Sequence, residues 1–153
     1  MSNIPIFSVR PAELRDAQEL ARLSGELGYP ATAATLTARL QRLQSHGDFG
    51  VMVAAGHYGL WGWVAVERSI SLVSDEHAEI VALVVDGRAR ECGIGRALVD
   101  SAEDWARARG LPRVRVRSNS TRPASHIFYD RLGFTRVKSQ HVYDKALPAV
   151  LQA

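Results

Sequence analysis

The segment over residues 79–109 constrains the fold most, because a buried strand leads through a glycine-containing turn into an amphipathic helix. Residues 79–86 form a largely apolar run that is long enough only for a buried central strand. The apolar residues of the following segment recur at helical spacing: Ile94, Leu98, Ala102 and Trp105. Gly110 follows the predicted end of this helix. The segment therefore predicts an α/β fold with a helix packed on a sheet.

The rest of the chain extends this pattern on both sides. Further strands are predicted at about 6–10, 50–56, 59–68 and 113–117, with a last strand pair over about 134–147. Further helices are predicted at about 17–27, 32–44 and 123–132. The predicted order is β-α-α-β-β-β-α-β-α-β-β. We interpret it as one α/β domain over residues 1–153, with a single mixed sheet flanked by helices.

Composition excludes several classes of protein. The 153 residues are 46% hydrophobic and 23% charged, which is typical of a globular domain with its own core. The apolar runs are too short to span a bilayer, so we expect no membrane segment. Cys92 is the only cysteine, which excludes an internal disulfide framework and a Cys-based zinc site. The five histidines show no metal-ligand spacing, so no metal is predicted. With no leader-like start, we expect a cytoplasmic protein.

The distribution of charge is more informative than the net charge of +3. Residues 86–122 contain nine arginines and five acidic residues, whereas residues 67–86 contain five acidic residues and one arginine. One region is therefore suited to an anion and its neighbour to a cation. A uniform basic face for nucleic acid would not contain that acidic stretch, so nucleic-acid binding is the least favoured function.

The turn over residues 86–93 has the chemistry of a diphosphate site. The N-terminus of a helix presents unpaired N–H groups and the positive end of its dipole, and glycines allow a phosphate to approach the backbone. Arg88, Arg90 and Arg96 add positive charge nearby. The dinucleotide pattern G-x-G-x-x-G fails because its third glycine is replaced by Leu98, and the Walker G-K-S/T pattern is absent. An ordinary glycine-rich turn is the alternative on these residues alone.

Three motifs resemble the GNAT superfamily of N-acetyltransferases. Arg90-x-x-Gly93-x-Gly95 is similar to the R/Q-x-x-G-x-G/A loop that binds the pyrophosphate of acetyl-coenzyme A (acetyl-CoA) in that family. Residues 128–134 resemble the family signature F-Y-x-x-L-G-F, and residues 9–17 resemble its opening strand and helix. Glu91 and Cys92 depart from the pattern, since many members have glycine and then arginine or lysine there. The resemblance covers nearly the whole chain and implies the GNAT fold.

The resemblance also implies the cofactor site. Acetyl-CoA would be the co-substrate, no metal would take part, and main-chain N–H groups of the central strand would hold the thioester carbonyl. The residues assigned to this site are Leu83, Val84, Val85, Arg88, Arg90, Glu91, Cys92, Gly93, Ile94, Gly95, Arg96, Asn119 and Phe128.

Two catalytic residues follow from the resemblance. Tyr129 occupies the position of the family's general-acid tyrosine, and its alternative role is that of a core aromatic residue. Glu79 lies eleven residues before Arg90, as does the base glutamate of some members. Strand alternation predicts that Glu79 shares a face with Val81, Leu83 and Val85. Its alternative roles are a solvated strand-end charge and a cation-binding group that never takes a proton.

The acceptor is expected to be a primary amine of a small molecule or peptide. Residues 67–79 and 25–30 would border the acceptor cleft in this superfamily, and the acidic groups there favour a cationic amine. The chain end resembles small bacterial members that include aminoglycoside acetyltransferases, and family habit implies a homodimer. The alternative function is a non-catalytic acyl-CoA-binding sensor that regulates a partner.

Overall fold

The computed structural model describes residues 5–118 and 123–149. The chain divides into two units, residues 1–117 and residues 118–153. The first unit contains five strands, β1 (Ser8–Pro11), β2 (Phe49–Ala55), β3 (Leu60–Ser69), β4 (His77–Val85) and β5 (Val114–Val116). It also contains three α-helices, α1 (Ala17–Leu27), α2 (Ala33–Gln44) and α3 (Ile94–Ala108). The second unit contains α4 (Pro123–Arg131). The predicted α/β class is confirmed, and the predicted element order is confirmed as far as α4.

The five strands form one mixed sheet in the order β1-β2-β3-β4-β5. The first four strands are antiparallel to their neighbours, and β4 pairs with β5 in parallel. The parallel pair is possible because α3 lies between β4 and β5 in the sequence. The helix returns the chain to the end of the sheet from which β4 began, so that β5 can run in the same direction. The carboxyl end of β4 and the beginning of α3 are thereby placed at one edge of the structure.

One face of the sheet is covered by α1 and α2. A single apolar cluster joins these helices to β2, β3 and β4, with Leu20, Leu23, Leu40, Val53, Leu60 and Val84 among its buried members. Burial of each leucine stabilises the fold by about 2 kcal/mol. Gly28 ends α1 at φ +97°, as its position in the sequence predicts, and the Thr32 hydroxyl caps α2 by accepting from the Thr35 N–H at 3.1 Å.

The opposite face of the sheet packs against α3. Ile94, Leu98 and Ala102 are at most 1% exposed. The close approach depends on Gly62 in β3, where a Cβ atom would lie 2.6 Å from the Val84 carbonyl oxygen and 3.0 Å from Leu98 Cδ1. A side chain at this position would therefore push the helix away from the sheet.

A β-bulge divides β4 into two halves. Its pairing with β3 changes from Ala65 opposite Ala82 to Val66 opposite Ile80, so Val81 is the extra residue. Val81 is 51% exposed although it lies within a strand. Because one inserted residue reverses the alternation of side chains, the two halves of β4 follow different face patterns.

The bulge overturns the predicted face of Glu79. Directly opposite residues in an antiparallel pair point to the same face, and Glu79 is opposite Glu67. Leu83 is opposite Val64, which alternates with Glu67 along β3 and therefore lies on the other face. The prediction that Glu79 shares a face with Leu83 and Val85 was wrong, because simple alternation cannot anticipate an inserted residue.

The predicted last strand pair is not formed. The described residues from 134 to 149 carry no regular secondary structure. Their large apolar side chains are strongly exposed, namely Val137, Val142, Tyr143 and Leu147. A strand pair that buries no apolar face is only marginally stable, which is the physical reason for the difference.

Two negative findings apply to the described part of the chain. None of its helices combines the length and the apolar character needed to cross a membrane. Nor does this part bring together three or more His, Cys, Asp or Glu side chains in a group that could hold a metal ion.

Gly62→Ala should reduce the free energy of unfolding by about 2–3 kcal/mol, because the new methyl group overpacks the contact between β3 and α3. Gly47→Ala is the matched control, since no atom lies within 4 Å of a Cβ atom at that position. Urea unfolding of the two variants measures the effect. Equal stability of both would contradict the close packing of α3 on Gly62.

Candidate active site

The sheet opens between β4 and β5 beyond Ile80. Within the described residues, these strands pair only over 78–80 and 114–116. The main chain of residues 81–85 therefore continues along β3, and no described strand pairs with its other side. Main-chain N–H and C=O groups on that side need partners, and an extended ligand can supply them as an added strand does. This edge contains Leu83, Val84 and Val85, whose main chain the resemblance assigns to the thioester carbonyl.

The connection from β4 to α3 is a turn with two left-handed residues. Asp86 caps a short 3-10 turn, Gly87–Ala89, by accepting from the Arg88 N–H at 2.9 Å. Glu91 then has φ +63° and Gly93 has φ +83°. Glu91 is the only non-glycine residue with positive φ in the described chain. A left-handed conformation costs a residue with a Cβ roughly 1 kcal/mol, which explains the glycine that the resembling loops commonly have at this position.

The first turn of α3 is available to an anion. Gly93 precedes the helix, and within the described chain no side chain caps its N–H groups. Arg90 and Arg96 are exposed on either side of Gly93. A 15-residue helix with uncapped N–H groups and flanking cations has the electrostatics of a phosphate site.

Buried Asp86 anchors this turn. It is 1% exposed, and its Oδ2 atom accepts from Arg22 and from Arg88, both at 2.8 Å. The hydrogen bonds from Arg88 and Arg22 hold the pKa of Asp86 well below its usual range, against the opposing effect of burial. Arg88 also lies over the Trp61 ring, 5.4 Å from its centroid. The guanidinium that the sequence assigns to the cofactor is therefore already held by Asp86 and Trp61.

Helix α1 is joined to the same turn by polar contacts. Arg22 donates to the Leu60 carbonyl at 2.9 Å, and Glu19 accepts from the Leu60 N–H at 2.9 Å. Glu26 accepts from the Gly87 N–H at 3.1 Å. Sequence reasoning missed these residues. Their spacing along α1 is the signal that could have found them, since positions 19, 22 and 26 lie on one face of a helix.

A second polar cluster lies on the first half of β4. Glu79 is 8% exposed and faces Glu67 across the strands. The Arg117 Nε atom donates to Glu79 Oε2 at 3.2 Å. Burial raises the pKa of Glu67, and the negative charge of Glu79 raises it further. Glu79 is thus a buried, paired carboxylate and not a solvated strand-end charge, which excludes one of its predicted alternatives.

The second unit contains Phe128 and Tyr129 on α4. The Tyr129 ring packs edge-on against Phe128 and Phe134, with centroid distances of 5.0 and 5.6 Å. Gly133 has φ +89°, and the Phe134 N–H donates to the Tyr129 carbonyl at 3.0 Å to close the helix. Burial raises the pKa of Tyr129 to about 12, so its phenol keeps its proton at neutral pH.

The predicted site residues thus have three locations. Glu79 and the assigned cofactor residues from 83 to 96 lie on β4, the turn and the start of α3 in the first unit. Phe128 and Tyr129 lie in the second unit. Asn119 lies outside the described residues. Their roles stay predictions.

Comparisons with known proteins agree with this fold. Residues 18–134 match the profile of the acetyltransferase (GNAT) family. The chain is 42% identical over 67 residues to YhdJ of Bacillus subtilis, described as an uncharacterized N-acetyltransferase. That match covers 43% of this chain and 47% of YhdJ, so the chain spans about half the length of this relative.

Two solved structures share the architecture. A transcriptional regulator from Bacillus halodurans superposes with a TM-score of 0.82 at 20% identity, covering 92% of this chain and 100% of that one. The aminoglycoside N-acetyltransferase AAC(6')-Iy, in complex with coenzyme A (CoA), gives 0.82 at 13% identity over 92% and 95% of the two chains. At such identities the likeness establishes the fold.

Asp86→Asn should reduce the free energy of unfolding by about 2 kcal/mol at neutral pH, because charge-assisted hydrogen bonds to two arginines are lost. The folded-state pKa of Asp86 is lowered, so its contribution is fully present above the unfolded pKa of about 4 and is lost on acidification. The difference between wild type and variant should therefore shrink below about pH 4.

Urea unfolding at several pH values measures this difference. Asp104→Asn is the control, because Asp104 is exposed and forms a surface ion pair with Arg107 on the same helix. A gap between wild type and Asp86→Asn that stays constant down to pH 3 would show that the charge of Asp86 does not stabilise the turn.

Proposed function

We propose a reaction for this chain, which belongs to the acetyltransferase (GNAT) family. In this reaction, the protein transfers an acetyl group from acetyl-CoA directly to a primary amine of a small molecule or peptide. The observation that carries the proposal is the opening of the sheet beyond Ile80, directly followed by a turn that delivers uncapped helix N–H groups. An extended thiol arm and a diphosphate are the two parts of acetyl-CoA that such a pair of features fits.

The residues of the turn fit the cofactor. The N–H groups at the start of α3 would hold the pyrophosphate, with Arg90 and Arg96 supplying positive charge. The main chain at Leu83, Val84 and Val85 would hold the thioester arm and polarise its carbonyl. Acetyl-CoA supplies the activated acetyl group. Arg88 would act mainly through Asp86, since its guanidinium is already bound there.

The acceptor proposed for this site carries a positive charge. Glu67 and Glu79 are two carboxylates on adjacent strands, and Arg117 compensates the charge of Glu79. A neighbouring ammonium group would relieve the repulsion between the carboxylates. An aminoglycoside, a polyamine and a lysine side chain all meet this requirement. The structural likeness to an aminoglycoside N-acetyltransferase is compatible with the first of these.

Proton transfer is assigned to Glu79 and Tyr129. Glu79 would take a proton from the ammonium group, either directly or through a water molecule, so that the neutral amine can attack the thioester carbon. Tyr129 would give its phenolic proton to the departing thiolate. A phenol with a pKa of about 12 keeps its proton at neutral pH and is therefore available as a donor. In its remaining alternative role, Glu79 binds the cationic acceptor and takes no proton.

A non-catalytic acyl-CoA sensor is the second candidate. Arg117 already pairs with Glu79, so a cation of the protein itself occupies one oxygen of the proposed base. A structurally similar protein is described as a transcriptional regulator. A sensor would bind acetyl-CoA but release no free thiol with any amine. A screen of amines with thiol detection therefore separates the two functions.

Excess acetyl-CoA should raise the melting temperature of the protein, whereas NAD should not. Ligand at 100 times its Kd stabilises the folded state by roughly 2.7 kcal/mol, or about 5 °C for a domain of this size. Differential scanning fluorimetry measures the shift. No shift at millimolar acetyl-CoA would refute the cofactor site.

A titration with acetyl-CoA that measures its Kd tests the role of Glu91. Glu91→Gly removes both the left-handed strain and a negative charge beside the phosphate site, and Glu91→Gln removes only the charge. We expect the Kd for acetyl-CoA to fall by about 3-fold in both variants, because both remove the charge. Only Glu91→Gly should also raise the free energy of unfolding, by about 1 kcal/mol, because it removes the strain.

Tyr129→Phe should lower kcat by about 100-fold and leave the Kd for acetyl-CoA unchanged, because only proton donation is lost. Tyr58→Phe is the matched control, since Tyr58 is fully exposed in the turn between β2 and β3. Steady-state rates are measured by thiol release, and the Kd by calorimetry. An unchanged kcat in Tyr129→Phe would remove this residue from the mechanism.

A further inference from the structure

A buried histidine faces the proposed base. His77 is 1% exposed at the beginning of β4, and its Nε2 atom lies 3.6 Å from Glu79 Oε1. The Nε2 atom is buried and has no hydrogen-bond partner among the residues that the structure describes. Buried polar atoms are rarely left unpaired, so this one requires an explanation. Sequence reasoning did not single out His77.

The other ring nitrogen determines the tautomer. His77 Nδ1 lies 2.9 Å from the Asp75 carbonyl oxygen. A carbonyl oxygen can only accept a hydrogen bond, so Nδ1 carries the hydrogen and donates it. In the neutral ring, Nε2 therefore presents a lone pair toward an oxygen of Glu79. His77 Nε2 and the Glu79 oxygen are then both hydrogen-bond acceptors, and neither can donate to the other. One proton placed between them would give a hydrogen bond to both.

We propose that His77 is a positioning residue that shares a proton with Glu79 during acetyl transfer. The inference rests on the proposed function, in which Glu79 accepts a proton from the acceptor ammonium group. The proton leaves the nitrogen for the carboxylate and passes to His77 Nε2. The imidazolium then donates through Nε2 to Glu79 and through Nδ1 to the Asp75 carbonyl. The nitrogen–carbon bond forms and the nitrogen releases its second proton to solvent. The carbon–sulfur bond breaks, and the thiolate takes the Tyr129 proton, which solvent then replaces. The proton shared by Glu79 and His77 leaves to solvent after product release.

The charged residues around His77 and Glu79 act in opposite directions on a positive charge at His77. Glu67 on β3 lies opposite Glu79 and favours a positively charged His77. Arg115 on β5 is the register partner of Glu79, and Arg117 donates to its Oε2 atom. These arginines oppose a second positive charge. Arg117 binds Oε2 whereas His77 faces Oε1, so the two oxygens of Glu79 have separate partners. The oxygen that faces His77 is the one through which a proton can pass.

The first experiment is the dependence of kcat on pH at saturating acetyl-CoA and acceptor. His77→Gln keeps a donor for the Asp75 carbonyl but cannot hold the proton. Since an isolated carboxylate takes up its proton at lower pH than an imidazole, the midpoint of the acidic limb should move down by about one pH unit. The plateau of kcat should fall about 10-fold with KM unchanged, because the base is weaker.

The matched control is His46→Gln, which changes an exposed histidine between α2 and β2. This variant should leave both the acidic limb and the plateau of the dependence of kcat on pH unchanged. If His77→Gln lowers the melting temperature but leaves the acidic limb in place, His77 is only structural and the inference fails. His77→Asn repeats the measurement should the glutamine variant not fold.

The second experiment needs no activity. Histidine signals of the 15N-labelled protein without ligand are followed against pH by NMR, and the His77 signal is identified by its loss in His77→Gln. In Glu79→Gln, the titration of His77 should shift to lower pH, because the neighbouring negative charge is gone. An unchanged titration would overturn the inference. Absence of turnover in the wild type would refute the proposed function, and the NMR result would still decide the pairing.

Discussion

The extra residue at Val81 in β4 is the constraint on which the rest of the site depends. Before the bulge, β4 is held between β3 and β5 and directs Glu79 to the same face as Glu67. After the bulge, β4 buries Val84 in the core beneath α1 and α2. Of the described strands, only β3 pairs with this half, so its other edge has no described partner. One inserted residue therefore divides β4 into two different halves. Residues 77–80 carry the polar cluster, and residues 82–85 have a main-chain edge that no described strand covers. A regular strand could not supply both, because its alternation would continue unchanged and β5 would keep its pairing.

An open edge requires another means of holding the chain that follows it, and the buried ion pairs of Asp86 provide it. The Asp86 N–H donates to the Trp61 carbonyl at 2.7 Å, which continues the pairing with β3 by one residue. Its carboxylate then binds Arg22 and Arg88. A buried carboxylate is costly to remove from water, and two guanidinium groups with good geometry offset that cost. The turn is thereby fixed to α1 and β3 on one side, while Gly93 and the first N–H groups of α3 remain open on the other.

Local patterns in the sequence predict most of the elements, and the misses share a cause. The leucine spacing of α1 and the glycine at its end act within a few residues, so the sequence alone reveals them. The bulge at Val81 depends on register with β3, and the last strand pair depends on apolar burial that the chain does not provide there. The role of Arg22 depends on Asp86, 64 residues away. The left-handed Glu91 is an intermediate case, because the glycine common in resembling loops already marks a position of unusual backbone geometry.

The first half of β4 carries a feature that lowers stability and therefore requires a reason. Like charges directly opposite each other on adjacent strands are destabilising, and Glu67 and Glu79 occupy such a position. Burial makes the repulsion stronger, as the raised pKa of Glu67 reflects. Arg117 offsets part of this cost, yet the buried Nε2 atom of His77 also faces Glu79, and no described residue forms a hydrogen bond with it. Two carboxylates and one lone pair together need positive charge or protons. A reaction that begins with a cationic amine and releases a proton brings both to this face, so the features that weaken the folded state are the ones that the proposed chemistry uses.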